Sequence, residues 1–242
     1  ILNIFFINCL ENVRSEYVHE FEKICSEKIH VKKDRVVSVN TGFSALHLSC
    51  MLFNIKKGDE VIMPSLTNVA DAQVVISLGA KIVFCDILPE TFCINPDQIN
   101  NFITKKTKLI IPIDYGCNLA AHDELKFLSK KYNIPILHDA SHSFGSLYKN
   151  KNIGNIHDLT TFSFDPVKTF TSIDGGLIIC KNKSQAKKLE EGRRKDELEE
   201  ARIFQMKMLP KKFPAMLGLE IAADIRTASE VGGDYYDFFS TR

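Results

Sequence analysis

The sequence predicts an α/β fold in which helices cover both faces of a mostly parallel sheet, and three features of the chain indicate this class. Short apolar runs rich in β-branched residues alternate with segments of three-and-four apolar spacing between Asp34 and Cys180. Most of these runs are apolar on both faces, as buried strands are. The 242 residues are 45% hydrophobic and 25% charged, as is usual for a globular protein.

The elements follow the alternation along the chain. The predicted strands are 35–39, 60–64, 81–85, 108–113, 134–138, 159–164 and 176–180. The predicted helices are Ser44–Asn54, Asn68–Leu78, Pro96–Thr104 and His122–Tyr132. Ligands of such sheets bind beyond the carboxyl ends of the strands, so polar residues that follow a strand are the candidate functional residues.

The pattern changes after Cys180. Residues 181–202 carry acidic and basic side chains at i,i+4 spacing, which predicts a solvated helix. Pro210 and Pro214 are expected to end it, and short strands are expected around Gly232. We therefore expect two parts, a domain of residues 1–189 and a segment of residues 190–242.

Charge and cysteine content restrict the partners and the compartment. Lys and Arg number 31 against 30 Asp and Glu, so no net field attracts nucleic acid or a membrane surface, and we expect neither partner. The seven cysteines are scattered singly, without the Cys or His spacing of a metal site, which predicts reduced, buried thiols in the cytoplasm and no metal.

Lys168 is the first candidate for chemistry. It lies in FSFDPVKTF, just beyond a predicted strand end, where Phe164, Val167 and Phe170 are expected to shield it in part from water. A shielded lysine amine can attack a carbonyl and form a Schiff base. An isolated lysine after a strand is, however, usually a surface residue.

Asp139 and His142 form the second candidate group. Asp139 follows the apolar strand IPILH and opens DASHSFG, where its carboxylate can pair with the pyridine nitrogen of pyridoxal phosphate (PLP). The alternative is an aspartate that caps a helix or forms a turn. His142 is either a cofactor contact or a histidine bonded within the core.

The third candidate is a phosphate-binding turn. The segment NTGFSALHL follows the first predicted strand, with Gly42 and then Ser44 opening a helix whose free backbone amides can bind phosphate. Many strand-to-helix turns use glycine and serine, so the turn alone is not specific. The order of turn, aspartate and lysine on one sheet strengthens the interpretation.

From about Ser15 to about Lys187 the chain resembles the DegT/DnrJ/StrS group of PLP-dependent sugar aminotransferases. The matching segments are TGFSALHL, KKGDEVIMPSLTNVADAQVVISLGAKIVFCDI, ILHDASHSFGS and NIGNIHDLTTFSFDPVKTFTSIDGG. The resemblance implies the large domain of PLP-dependent transferase fold type I, without the small C-terminal domain. It also implies a homodimer, because the active sites of this family lie at the subunit interface.

The resemblance assigns roles to individual residues. Lys168 stands at the position of the lysine that forms the Schiff base and transfers protons, and Asp139 at that of the partner of the pyridine nitrogen. His142 stands beside the ring, and Ser163 where a hydroxyl meets the phosphate. The remaining cofactor positions are Gly42, Phe43, Ser44 and Asn68.

Several positions depart from the family pattern. Phe43 occupies the usual threonine of the phosphate turn, and Asn68 stands where an aromatic side chain usually stacks on the cofactor ring. Ile173 and Asp174 replace a common Gly-Glu pair. The lysine is retained where the sugar dehydratases of the group carry histidine, which favours transamination.

Residues 190–242 resemble a different family. RRKDELEEARIFQMKMLPKKFP and GLEIAADIRTASEVGGDYYDFF are similar to the start of metal-dependent phosphatases of the RsbU/SpoIIE type, with Asp234 at a metal-ligand position. One carboxylate cannot hold a pair of divalent ions, so no phosphatase activity is expected.

The leading hypothesis is an aminotransferase that uses an amino-acid donor, with glutamate the expected one, and a nucleotide-linked keto-sugar. Its setting would be the biosynthesis of polysaccharide or glycan sugars. A truncated or fused PLP-fold protein without turnover, and a fragment of a phosphatase signalling protein, remain the alternatives.

Overall fold

In the computed structural model, which describes residues 16–193, one continuous β-sheet passes through the domain. The sheet strands are β1 (Val36–Val39), β2 (Glu60–Pro64), β3 (Lys81–Cys85), β4 (Thr107–Ile110), β5 (Leu137–Asp139), β8 (Leu159–Ser163) and β9 (Gly176–Cys180). Their order is β3-β2-β4-β5-β8-β9-β1, and parallel bridges from Ile110 to Ile136 and from Ile113 to Asp139 join β4 to β5. Only β9 runs antiparallel to its neighbours, so the predicted class is confirmed.

Helices cover both faces of this sheet. They are α1 (16–28), α2 (Gly42–Leu52), α3 (Val69–Ser77), α4 (Pro96–Ile99), α5 (His122–Tyr132) and α6, which begins at residue 183 and is described to residue 193. Successive residues of β2 show the two faces, because Val61 and Met63 pack with α2 and α3 whereas Ile62 packs with α4 and α5. A small hairpin, β6 (Leu147–Tyr148) and β7 (Lys151–Asn152), precedes β8.

Several element boundaries differ from the sequence prediction. Helix α2 begins at Gly42 rather than Ser44, because Thr41 is the N-cap and its Oγ1 accepts a hydrogen bond from the Ser44 amide at 3.0 Å. Helix α4 ends at Ile99 instead of Thr104, whose amide donates to Thr107 Oγ1 in the turn that leads to β4. The predicted strand 134–138 is Leu137–Asp139.

The cysteine prediction is partly wrong. Within the described residues Cys117 is an exposed thiol, whereas the other free cysteines are buried, namely Cys25, Cys50, Cys85, Cys93 and Cys180. Cys117 lies in a short 3-10 turn, Tyr115–Cys117, at the edge of the sheet rather than in an element of the core. In residues 16–193, no helix has the length and apolar character that crossing a membrane requires.

The predicted C-terminal segment lies largely outside the described residues. The compact unit that contains the sheet spans Val13–Glu190. The two-part division at residues 189 and 190, the short strands around Gly232 and the role of Asp234 therefore stay predictions.

Candidate active site

The carboxyl ends of β5 and β8 lie side by side because these strands are parallel neighbours. Asp139 pairs with Thr161, so β5 ends at Asp139 beside the end of β8 at Ser163. A turn after β8 then brings Lys168 back toward the sheet edge, with its amide donating to the Asp165 carbonyl at 3.0 Å. The sheet thus gathers the candidate residues at the edge where α/β folds bind ligands.

The Lys168 amine contacts His142. Its Nζ lies 3.2 Å from His142 Nε2, and the lysine side chain is partly buried. The expected shielding by neighbouring apolar groups is wrong in part, since Phe164 is buried but Val167 is 85% and Phe170 53% exposed. The turn explains the exposure of Val167 and Phe170. Asp165 Oδ1 accepts a hydrogen bond from the Val167 amide, and the chain bends away from the core there.

His142 is held as a neutral imidazole. Its Nδ1 accepts a hydrogen bond from the Gly116 amide at 3.1 Å. Burial, followed by the charge of Lys168, lowers the pKa of His142, although the charges of Asp139 and Asp114 oppose this. A neutral ring that accepts at Nδ1 carries its proton on Nε2. The contact with Lys168 is then a hydrogen bond when the amine has a free lone pair, which is the form that attacks a carbonyl.

The carboxylate of Asp139 is fixed by its own turn. Asp139 is buried, and its Oδ1 accepts hydrogen bonds from the Ser141 amide at 3.0 Å and the Ser141 hydroxyl at 2.5 Å. These bonds form a turn, so the turn alternative of the sequence analysis is also present at this residue. A buried carboxylate with two donors on one oxygen is a rigid group at the strand end.

The start of α2 packs against the end of β8. A Cβ atom on Gly42 would lie 2.7 Å from Ser163 Cβ and 2.8 Å from Ser163 Oγ, so the helix approaches this strand closely. The first helical hydrogen bond runs from the Ala45 amide to the Thr41 carbonyl, and the amides of Gly42 and Phe43 precede it. The predicted turn and Ser163 therefore form one cradle.

Asn68 is placed differently from the other candidates. It is the N-cap of α3, and its Oδ1 accepts a hydrogen bond from the Ala70 amide at 2.9 Å. This side chain is exposed, and its bond in the described structure is to its own helix. Its assignment to the cofactor stays a prediction.

The sequence analysis missed Asp71, a buried carboxylate in the first turn of α3. It is 1% exposed, Oδ2 accepts from the Thr67 hydroxyl at 2.5 Å, and Oδ1 has no partner in the described part of the chain. Burial first, and then the charge of Asp139, raise the pKa of Asp71 well above its usual range, whereas Thr67 and Lys168 act in the opposite sense. Val74 and Val75, which follow at three and four residues, were the sequence signal that this face is buried.

A lysine beyond one strand end, an aspartate at the neighbouring strand end and a helix start beside them define the large domain of a fold type I PLP-dependent transferase. The chain belongs to the DegT/DnrJ/EryC1/StrS aminotransferase family, whose family model matches residues 9–209. This match includes residues 190–209, which the sequence analysis placed in the second segment.

Known proteins similar to the chain support this membership. Uncharacterized protein MJ1066 of Methanocaldococcus jannaschii is 40% identical over 154 residues, which are 64% of this chain and 40% of that protein. A putative sugar aminotransferase of Streptococcus pneumoniae, Spr1654, solved in PMP and PLP forms, is 31% identical with a TM-score of 0.66, over 72% of this chain and 48% of that chain in the PMP form. NtdA of Bacillus subtilis, solved with bound PMP, is 30% identical with a TM-score of 0.67, over 76% and 42% of the two chains. The chain thus spans less than half the length of each of these proteins.

Proposed function

We propose that this chain binds PLP and takes part in moving an amino group from an amino-acid donor to a keto-sugar linked to a nucleotide. The 3.2 Å contact between Lys168 Nζ and His142 Nε2, at the edge where Asp139 ends its strand, is the observation that carries the proposal. Family membership and the similarity to a putative sugar aminotransferase support the reaction class. Glutamate is the proposed donor.

The residues present fit this cofactor. The close approach of Gly42 to Ser163 leaves helix amides and a hydroxyl together, which is a donor set for a phosphate group. The buried carboxylate of Asp139 suits a protonated pyridine nitrogen, and the partly buried Lys168 suits an aldehyde. PLP, when bound, supplies the electron sink that stabilises a carbanion next to the amino group.

Each side chain then has a defined task. Lys168 would hold PLP through its Nζ, and its amine, when free, would act as the acid and base at the substrate carbon. Its Nζ is positioned for this by His142 Nε2, which the Gly116 amide orients through Nδ1. Asp139, held by Ser141, keeps its carboxyl group directed at one place at the strand end.

We propose that two copies of this protein pair across this edge of the sheet. Several apolar side chains near the candidate site are exposed. Ile173 is 82% and Val167 85% exposed, and Phe170 and Phe43 are exposed as well. Apolar side chains exposed in such number around a site favour coverage by another chain. We further propose a cytoplasmic location, because the described cysteines are all free thiols.

The test is a titration with PLP followed by a donor. A visible absorbance band that borohydride removes is expected on PLP binding, and glutamate should bleach this band. Lys168→Ala should abolish the borohydride-dependent labelling, whereas Lys130→Ala, an exposed lysine of α5, should leave it intact. Labelling that persists in Lys168→Ala would contradict the assignment.

The same titration separates the proposal from the alternative of a PLP-fold protein without turnover. Binding with bleaching supports transamination. A stable band that glutamate does not bleach would show a cofactor-binding fold without the reaction.

A further inference from the structure

Three histidines converge on the face of β5 opposite to Asp139. His138 precedes Asp139 on the strand, so its side chain points to the other face, where His122 begins α5 and His157 lies in the loop before β8. One ring nitrogen from each of the three lies within 4.8 Å of the others. His122 and His138 are fully buried, whereas His157 is partly exposed.

A buried aspartate orients two of these rings. Asp114 Oδ2 lies 2.8 Å from His138 Nε2, and Asp114 Oδ1 lies 3.2 Å from His122 Nε2. The same carboxylate is fixed by two further donors, because Oδ1 accepts a hydrogen bond from the Ala120 amide at 2.9 Å and Oδ2 accepts one from the Ser143 hydroxyl at 2.7 Å. A carboxylate oxygen held in this way accepts a hydrogen bond from His138 Nε2, which leaves a lone pair on His138 Nδ1. His122 Nε2 makes no hydrogen bond in residues 16–193, but it faces the same carboxylate, which favours the same tautomer with a lone pair on Nδ1.

The two Nδ1 lone pairs are in unusual surroundings. His122 Nδ1 lies 2.9 Å from His157 Nε2, and His138 Nδ1 is buried without a hydrogen-bond partner in residues 16–193. A buried acceptor without a partner is costly, and such an atom indicates a missing donor or ion.

We propose that His122 Nδ1, His138 Nδ1 and His157 Nε2 bind a Zn²⁺ ion, with the carboxylate of Asp114 behind two of the ligands. Zn–N bonds of about 2.0–2.1 Å in a tetrahedral site require ligand nitrogens about 3.3 Å apart. His122 Nδ1 and His157 Nε2 are 2.9 Å apart, and one ring nitrogen of each histidine lies within 4.8 Å of one nitrogen of the others, so the separations lie on both sides of this value. Histidines that bind zinc commonly donate their second N–H to a carboxylate, as His138 does here, and His122 Nε2 lies 3.2 Å from the same carboxylate.

Binding requires little rearrangement. Zinc binds the neutral form of imidazole through the ring nitrogen that carries the lone pair, so His157 binds through Nε2 when its proton is on Nδ1. The fourth position is left for a water molecule on the partly exposed side of His157, which also gives the ion its route of entry. The ion would tie the start of α5 and the loop before β8 to the back of β5.

The experiment uses Co²⁺ as a spectroscopic probe on the untagged full chain, treated with a chelator and carrying Cys117→Ser to remove the exposed thiol near His142. We expect a visible d–d absorption band of tetrahedral intensity that saturates at a single equivalent of Co²⁺. Zn²⁺ should remove the band and Mg²⁺ should not, because Mg²⁺ prefers oxygen ligands. Zn²⁺ at one hundred times its Kd should raise Tm by about 5–10 °C.

Matched variants assign the ligands. His157→Asn should lose the Co²⁺ band and the Zn²⁺-dependent rise in Tm, whereas His30→Asn, an exposed histidine with φ of 52°, should keep both. Asp114→Asn should keep the band but weaken Co²⁺ binding by about 10–100-fold, because it changes only the group behind the ligands.

The wild-type titration alone is decisive where a variant does not fold. Absence of a tetrahedral band together with a Tm that Zn²⁺ does not change would overturn the proposal and leave a histidine hydrogen-bond network. A band that persists in His157→Asn would overturn the ligand assignment.

Discussion

Gly42→Ala tests whether the start of α2 and the end of β8 form a cofactor cradle. The new Cβ would lie 2.7 Å from Ser163 Cβ, which is 0.7 Å short of the 3.4 Å at which ordinary contacts begin. Ser163 cannot retreat easily, since its strand is paired on both sides with β5 and β9. Overpacking of this kind lowers the free energy of unfolding by about 1–3 kcal/mol. The better helix propensity of alanine offsets less than about 1 kcal/mol of this loss.

Two measurements follow from this overlap. The Tm of the variant without PLP should fall by about 2–8 °C, measured by thermal denaturation. The Kd for PLP should rise about 10–100-fold in an absorbance titration, because displaced amides lose hydrogen bonds to a charged phosphate worth about 1.5–3 kcal/mol. If both quantities equal those of the wild type, the close packing of the turn on Ser163 does not form the phosphate site.

A second substitution serves as the control. Ser163→Gly removes the Cβ and Oγ that the new methyl group meets, so the double variant should recover part of the stability that Gly42→Ala loses. The coupling between the two changes should be about 0.5–3 kcal/mol, as for residues in contact. Ser163→Ala keeps the Cβ and should rescue less.

Two further predictions concern stability. Burial and the charge of Asp139 raise the pKa of Asp71 in the folded state, so the folded protein favours the protonated side chain. The stability that Asp71 contributes is therefore fully present below the unfolded pKa of about 3.9, and it is lost as the pH rises through the folded pKa. The Tm of Asp71→Asn minus that of the wild type should therefore increase from about pH 4 upward in thermal denaturation at a series of pH values; a difference independent of pH contradicts the assignment. Ile173 has a φ of 77°, which is strained for a β-branched residue, so Ile173→Gly should gain about 1 kcal/mol after the entropy of glycine is subtracted. The Tm of Ile173→Gly should exceed that of Ile173→Val, which keeps the strain, by about 2–4 °C. Equal Tm values would show that the backbone at residue 173 is not strained.

The strands were predictable because burial on both faces requires nearly continuous apolar runs. Val61, Ile62 and Met63 show the reason, since successive side chains enter cores on opposite sides of the sheet. The end of α4 was not predictable from apolar spacing alone. Phe102 and Ile103 continue that spacing and do pack against the core, but from a turn that the hydrogen bond from the Thr104 amide to Thr107 closes.

The candidate site was predictable only where residues follow strand ends. Asp139 and Lys168 could be found in this way, because parallel strands bring their carboxyl ends to one edge. Asp71 could not, because an acidic residue in the first turn of a helix is ordinary and only the packing of α3 buries it. The histidine cluster was also hidden, since His122, His138 and His157 belong to a helix, a strand and a loop, and no local spacing relates them.

The segment from Asp114 to Cys117 connects the two faces of β5. The Asp114 carboxylate accepts from His138 at 2.8 Å on one face and from the Ser143 hydroxyl at 2.7 Å, while the Gly116 amide orients His142 on the other face. Asp114 itself is anchored to the sheet, since its amide donates to the Asp139 carbonyl at 3.2 Å. A few short contacts therefore connect the histidine cluster to the group that positions Lys168. This is the physical reason to expect that the stability of the buried cluster and the geometry of the candidate active site depend on each other.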